Sequence, residues 1–267
     1  MSEEEKAKKD KVDKADKDDK AEKDVAVAVI RLVGIKVSGL EEELKDILSS
    51  ENPKAELTEK DGEARIKLHA VEEEDISAKK VLKPVVKEIK SRLGQLIFAT
   101  DDSDSLEDSV VNLLRENGFT ISAAESCTAG LFTGRLANVP GTSEILKAGF
   151  ITYSEKAKRK FALVKRHTLS KYGAVSKETA EEMSRGVCAV AGSDCGVSIT
   201  GIAGPDGGTE KKPVGLVYIG VTIQKKTTVK EFMLTGSRQD IRQRAVTEAL
   251  ALLRTCLLKR FSEVTFK

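Results

Sequence analysis

From about residue 105 onward the chain alternates between helix and strand patterns, and few folds accept that alternation. Apolar residues recur at helical spacing over 106–117, 128–138, 177–191 and 238–260. Short β-branched runs fall at 119–124, 148–153 and 195–200, with two more near 214–224 and 228–235. Strands separated by helices imply parallel pairing with helices on both faces. The predicted fold class is therefore α/β, a three-layer α/β/α sandwich spanning 105–262. Ser105 with Asp108 reads as the capping box that opens it, and Gly118 as the end of its first helix.

A smaller α+β unit is expected over 25–100. Val25 to Ile35 reads as a strand. Ser38 and Glu41 have capping-box spacing before Leu40, Leu44, Ile47 and Leu48. Asp61-Gly62 signals a hairpin turn. Beyond it Ala64, Ile66, Leu68 and Ala70 alternate with Arg65, Lys67 and His69, so the apolar set faces inward and His69 faces solvent. Ser77 to Leu93 predicts a helix with Pro84 as a kink or a late start. Thr100 to Asp104 predicts an acidic linker. Residues 1–24 carry ten acids and eight lysines with almost nothing apolar, a composition expected to stay a disordered charged tail.

Charge balance narrows the function. The net charge of +2 divides into −2 on the tail and +4 on the remainder, too even to predict nucleic-acid binding. Cys127, Cys188, Cys195 and Cys256 show neither CxxC nor zinc-ligand spacing, and no metal site is expected. The start lacks a signal-peptide apolar core, and no run is long enough to span a membrane. A soluble cytoplasmic protein with free thiols is expected.

Three segments at predicted strand ends can carry chemistry, since ligands of α/β sheets gather at the carboxyl ends of strands. In 124–130 (AESCTAG), Ser126 and Thr128 are either helix caps or ligand contacts. Cys127, at a helix start, would be a nucleophile only with a lowered pKa and a base, and none is evident nearby. In 140–158 (PGTSEILKAGFITYSEKAK), Thr142 and Ser143 precede a strand, and Tyr153 and Lys158 follow it. The whole chain has two histidines, so a serine hydrolase here would use lysine as its base. Lys158 would then need a pKa lowered from about 10.4 to roughly 7–8. In 200–208 (TGIAGPDGG), Gly201 and Gly204 suggest close backbone approach to a ligand, and the loop is neither a P-loop nor a GxGxxG turn. Asp206 has no second ligand at metal spacing. Arg238 and Arg242 lie one turn apart and are placed to grip a phosphate or carboxylate.

Together AESCTAG, PGTSEILKAGFITYSEKAK, YGAVSKETAEEM, VSITGIAGPDGGTEKKPVGLVYIG and GSR resemble the CinA family, specifically its C-terminal nicotinamide-nucleotide amidohydrolase domain. Residues 25–100 resemble the KH-like domain that precedes it. The resemblance implies hydrolysis of the carboxamide of nicotinamide mononucleotide to nicotinate mononucleotide and ammonia, without a cofactor. It implies Ser143 as nucleophile, Lys158 as base, and Tyr153 and Ser126 in the proton network. Thr128, Gly130, Thr142, Gly201, Gly204, Arg238 and Arg242 are the candidate substrate contacts. A homo-oligomer is expected. Two departures stand out. Ala129 replaces the first of two family glycines, and nothing resembles the family's MoaB/MogA-like domain, so no pyrophosphatase role is expected of this chain.

The alternative is a non-catalytic nucleotide- or nucleic-acid-binding module. Residues 25–100 contain no GxxG loop of the kind that clamps a nucleic-acid backbone, so nucleic acid is not an expected partner.

Overall fold

A computed structural model describes residues 24–265, and the charged segment expected to be disordered lies, except for Asp24, outside them. The small unit runs β1 (Val25–Val33), α1 (Val37–Glu43), α2 (Lys45–Leu48), β2 (Lys54–Lys60), β3 (Glu63–Val71), α3 (Ala78–Leu93) and β4 (Ile97–Ala99). Its sheet has the order β2-β3-β1-β4, and every pairing is antiparallel. Taking α1 and α2 as one helical layer, this is the β-α-β-β-α-β arrangement. Asp61 (φ 53°) and Gly62 (φ 87°) both adopt the left-handed conformation that a tight hairpin turn requires. Behind the turn Ala64, Ile66, Leu68 and Ala70 are buried, as alternation predicts. They pack with Leu40, Leu44, Leu82 and Ile89 into one core.

Three local expectations fail here. Lys36, not Ser38, caps α1, and no side chain caps it. The expected single helix breaks at Leu44, and Leu40 and Leu44 are both buried in the core. Of the two readings of Pro84 the late start fails, since the helix begins at Ala78 and the proline lies inside α3.

The larger unit runs α4 (Leu106–Glu116), β5 (Ile121–Glu125), α5 (Leu131–Ala137), β6 (Leu146–Ile151), α6 (Glu155–Phe161), α7 (Arg166–Tyr172), α8 (Lys177–Ala191), β7 (Cys195–Gly201), β8 (Leu216–Ile223), β9 (Lys226–Met233) and α9 (Arg238–Thr265). The capping box of Ser105 and Asp108 forms at α4. The sheet order is β6-β5-β7-β8-β9, parallel across the first three strands and antiparallel across the last two. Helices α4, α5 and α9 cover one face through Leu106, Val110, Phe132, Ala245 and Leu253. The other face carries α6, α7 and α8, with Ala162, Leu169, Met183 and Val187 buried against Ala124. The result is a three-layer α/β/α sandwich. Helices α6 and α7, seven residues each, were not predicted.

Candidate active site

The parallel pairing of β5, β6 and β7 brings their carboxyl ends together. Ser126 follows β5, and its N–H donates to the Ile199 carbonyl of β7 (2.9 Å). Thr152 follows β6, and its N–H donates to the Glu125 carbonyl (2.7 Å). Lys158 projects inward from α6 and is only 1% exposed. Its Nζ donates to Ser126 Oγ (2.8 Å) and to the Thr152 carbonyl (2.8 Å). No carboxylate pairs with this ammonium among the described residues, and burial lowers its pKa from 10.5 to about 8. Glu155 opposes that shift weakly. Cys127 would also oppose it if ionised, but burial pushes its thiol up to about 11, so it carries no charge near neutrality.

A neutral lysine amine has two N–H donors and one lone pair. With one N–H held by the Thr152 carbonyl, the lone pair can face Ser126 and accept its hydroxyl proton. Lysine thus takes the place that histidine holds in the common triads.

The turn bearing Ser126 is held from two sides. Glu125, 1% exposed, accepts from the N–H groups of Gly130 (3.0 Å), Phe132 (3.0 Å) and Thr133 (2.9 Å) and from the Thr133 hydroxyl (2.6 Å). These are the free donors at the start of α5. Arg242 of α9 donates to the carbonyls of Cys127 (3.0 Å) and Thr128 (3.0 Å). Ala129 has φ 51° and Gly130 φ 96°. The alanine therefore occupies the left-handed region that suits the glycine it replaces, at a cost of roughly 1–2 kcal/mol.

The structure joins Lys158 to Ser126 and not to Ser143. Ser143 lies exposed in a short 3-10 turn, Thr142–Glu144, and no hydrogen bond among the described residues links it to Lys158. Thr142 is 4% exposed, and its hydroxyl faces the carbonyls of Leu136 (2.8 Å) and Val139 (2.7 Å), so it ties down the chain after α5 rather than facing a ligand. Tyr153 is largely exposed and accepts from Arg238 Nη2 (3.2 Å). The same guanidinium donates to the Gly204 carbonyl (2.7 Å), joining the glycine loop to the end of β6. Arg242, expected to grip an anion, is occupied by the Ser126 turn. Gly201 is explained by packing: a Cβ there would lie 2.7 Å from the Leu216 carbonyl oxygen. Thr128 is fully buried, and its Oγ1 has no hydrogen-bond partner among the described residues. Cys127 is a poor nucleophile, because burial raises its pKa where a reactive thiol needs it lowered.

Two contributors were missed in the sequence, Glu125 and Thr152. An acid at a strand end, five residues before a helix start, was the available signal for Glu125. Thr152 acts through its backbone carbonyl, which no side-chain pattern reveals. No group of three or more potential metal ligands occurs among the described residues.

The model of the CinA C-terminal domain matches residues 103–257, and that of the damage-inducible protein CinA KH domain matches residues 28–99. The chain belongs to the CinA family. A CinA-like protein of Kosmotoga olearia is 46% identical over 231 residues, 86% of this chain and 56% of its own length. One from Dictyoglomus turgidum is 45% identical over 231 residues with the same coverage. The chain thus spans little more than half the length of these relatives. Among solved structures, the competence/damage inducible protein CihA of Agrobacterium tumefaciens superposes with a TM-score of 0.55 at 36% identity, covering 57% of this chain and 93% of that one. A CinA superfamily protein of Escherichia coli gives 0.54 at 30% identity, covering 61% and 98%. No described helix is long and apolar enough to cross a membrane.

Proposed function

We propose that this CinA-family chain is an amidohydrolase that converts nicotinamide mononucleotide to nicotinate mononucleotide and ammonia by a Ser/Lys mechanism. The observation that carries the reading is the buried contact of Lys158 with Ser126, made by an amine whose pKa lies near 8. Neutral Lys158 takes the Ser126 proton as the serine oxygen attacks the carboxamide carbon. The backbone N–H groups of Cys127 and Thr128 are the proposed donors to the tetrahedral oxyanion, since those of Ser126, Ala129 and Gly130 are already engaged. Collapse of that intermediate breaks the C–N bond, and Lys158 returns the proton to the departing ammonia. Water then cleaves the acyl-serine, with Lys158 again the base. Arg238, which bridges Tyr153 after β6 and the Gly204 carbonyl after β7, is the proposed contact for the substrate phosphate.

A second reading keeps Ser143 as the attacking hydroxyl and makes Ser126 the relay to Lys158. The exposure of Ser143, against 8% for Ser126, favours it. Ammonia release from nicotinamide mononucleotide, nicotinamide, its riboside and NAD tests the reaction. Release from the mononucleotide should be fastest and should vanish in Ser126→Ala and Lys158→Met. Full activity in either variant rejects the mechanism, and equal rates on all four substrates reject phosphate recognition. Mass spectrometry of a trapped acyl-enzyme assigns the attacking serine to the peptide holding Ser126 or Ser143.

A further inference from the structure

The two units meet along a cleft of about 1030 Å³ between the β2–β3 hairpin and α5, which reaches Gly130 at the end of the Ser126 turn. Arg135 of α5 lines it with 19% of its side chain exposed. It pairs with Glu63, the first residue of β3, and donates to Glu107 of α4 (2.8 Å) and to the Thr247 hydroxyl of α9 (2.9 Å). The second oxygen of Glu63 accepts from Arg31 (2.9 Å), whose guanidinium lies 4.9 Å from the Phe98 ring centroid. Glu63 and Glu107 are each 15% exposed, so these charges face one another largely shielded from water.

The helix that Arg135 anchors is also the helix that holds the Ser126 turn. Glu125 grips its first turn, and Arg135 fixes it one turn further on. Helix α9 closes the figure, touching the Ser126 turn through Arg242 and Arg135 through Thr247. The small unit supplies one acid, Glu63, to this frame, and among the described residues that acid is Arg135's one partner from outside the larger unit.

We propose that the small N-terminal unit positions the catalytic turn, and that Glu63 is the positioning residue through which it acts on α5. Glu63 does not touch the reacting atoms. Without its charge Arg135 keeps Glu107 and Thr247 but loses its tie to the hairpin, and the start of α5, with the turn on its N-terminal side, loosens. The effect on turnover rests on the Ser126–Lys158 reading, whereas the effect on backbone mobility does not.

The test compares the full chain with its Glu63→Gln variant by amide hydrogen exchange and by steady-state ammonia release from nicotinamide mononucleotide. Glu59→Gln is the control, because Glu59 pairs across the same boundary with Arg244 of α9 (3.2 Å) and makes no hydrogen bond or ion pair to α5 among the described residues. Exchange over 126–134 should rise about fivefold or more in Glu63→Gln, with β7 and β8 unchanged, and the control should match the parent. Turnover should fall by a similar factor with KM within about twofold, the signature of misplaced catalytic groups rather than weaker binding. Unchanged exchange over 126–134, or equal acceleration throughout both units, overturns the proposal. A parent chain that releases no ammonia rejects the proposed reaction instead, and the exchange comparison still decides the role of Glu63.

Discussion

Lys158 lets stability and catalysis be read against each other at one residue. Its folded pKa of about 8 lies below the ordinary 10.5, so the fold disfavours the charged form. Below pH 8 the group is protonated both folded and unfolded, and the whole cost is present, roughly 3 kcal/mol by the free-energy equivalent of a pKa shift. Between about 8 and 10.5 the folded side chain sheds its proton while the unfolded chain retains it. Stability from this group therefore rises with pH across that window. Activity should climb through the same pKa, with about one-tenth of the amine neutral at pH 7. Lys158→Met removes the buried charge at the expense of two hydrogen bonds. At pH 7 it should raise Tm by a few degrees while turnover falls by about a thousandfold or more. Calorimetry across pH 7–10 checks this: the parent's Tm should gain on the variant's as pH rises. A Tm difference independent of pH would mean that the amine titrates outside the window.

The helix that carries Lys158 is seated by a glycine on its neighbour. A Cβ on Gly186 of α8 would stand 1.9 Å from the Ala162 carbonyl oxygen at the end of α6, closer than any side chain can sit. Gly196 and Gly220 bring the sheet as near to α8: a Cβ at either would meet the carbonyl oxygen of Ser184 (2.2 Å) or Ala180 (2.6 Å). Gly186→Ala must therefore displace α6, and Lys158 with it. A loss of roughly 1–3 kcal/mol is expected, together with a fall in turnover. Gly134→Ala, with nothing within 4 Å of the new methyl, should instead gain up to about 1 kcal/mol of helix propensity. Denaturant midpoints of the two variants should move in opposite directions. Elements of this length also mark the limit of what the sequence reveals. Helix α8, fifteen residues with clear apolar spacing and Ser176 as its cap, is legible at Lys177–Ala191. Helices α6 and α7 are not, because seven residues rich in lysine and arginine offer too few apolar positions to show a period. The site follows the same rule. Its three loops could be read from glycine and hydroxyl residues at strand ends. The contact of Lys158 with Ser126 could not, because it spans 32 residues and exists only through the parallel pairing of β5 with β6.

At the scale of the whole molecule, the two units are joined by arginines that satisfy backbone as well as acids. Arg254 of α9 donates to the carbonyl of Gln95 (2.6 Å) in the turn before β4, to that of Ile97 (2.8 Å) at the start of β4, and to Ser109 of α4 (2.9 Å). One side chain thus ties the last strand of the small sheet to α4 and α9, two of the three helices on the near face of the large one. Val33, Phe98 and Ala99 already belong to the larger unit's core, so the boundary is apolar as well as charged. Units coupled this tightly should unfold as one, because exposing either leaves the other with unsatisfied polar groups and bare apolar surface. Arg254→Met keeps most of the apolar stem and removes all three donors. It should lower stability by roughly 2–4 kcal/mol, given about 1 kcal/mol for each lost bond and the carbonyls left unpaired. If the arginine couples the units, the variant should also broaden thermal unfolding into two resolved transitions, the earlier one belonging to the four-stranded unit. Calorimetry with circular dichroism separates the outcomes. A single transition lowered in Tm, with calorimetric and van't Hoff enthalpies still equal, would assign the coupling to the apolar contact of Val33 and Phe98 and leave Arg254 as one contributor to stability among many.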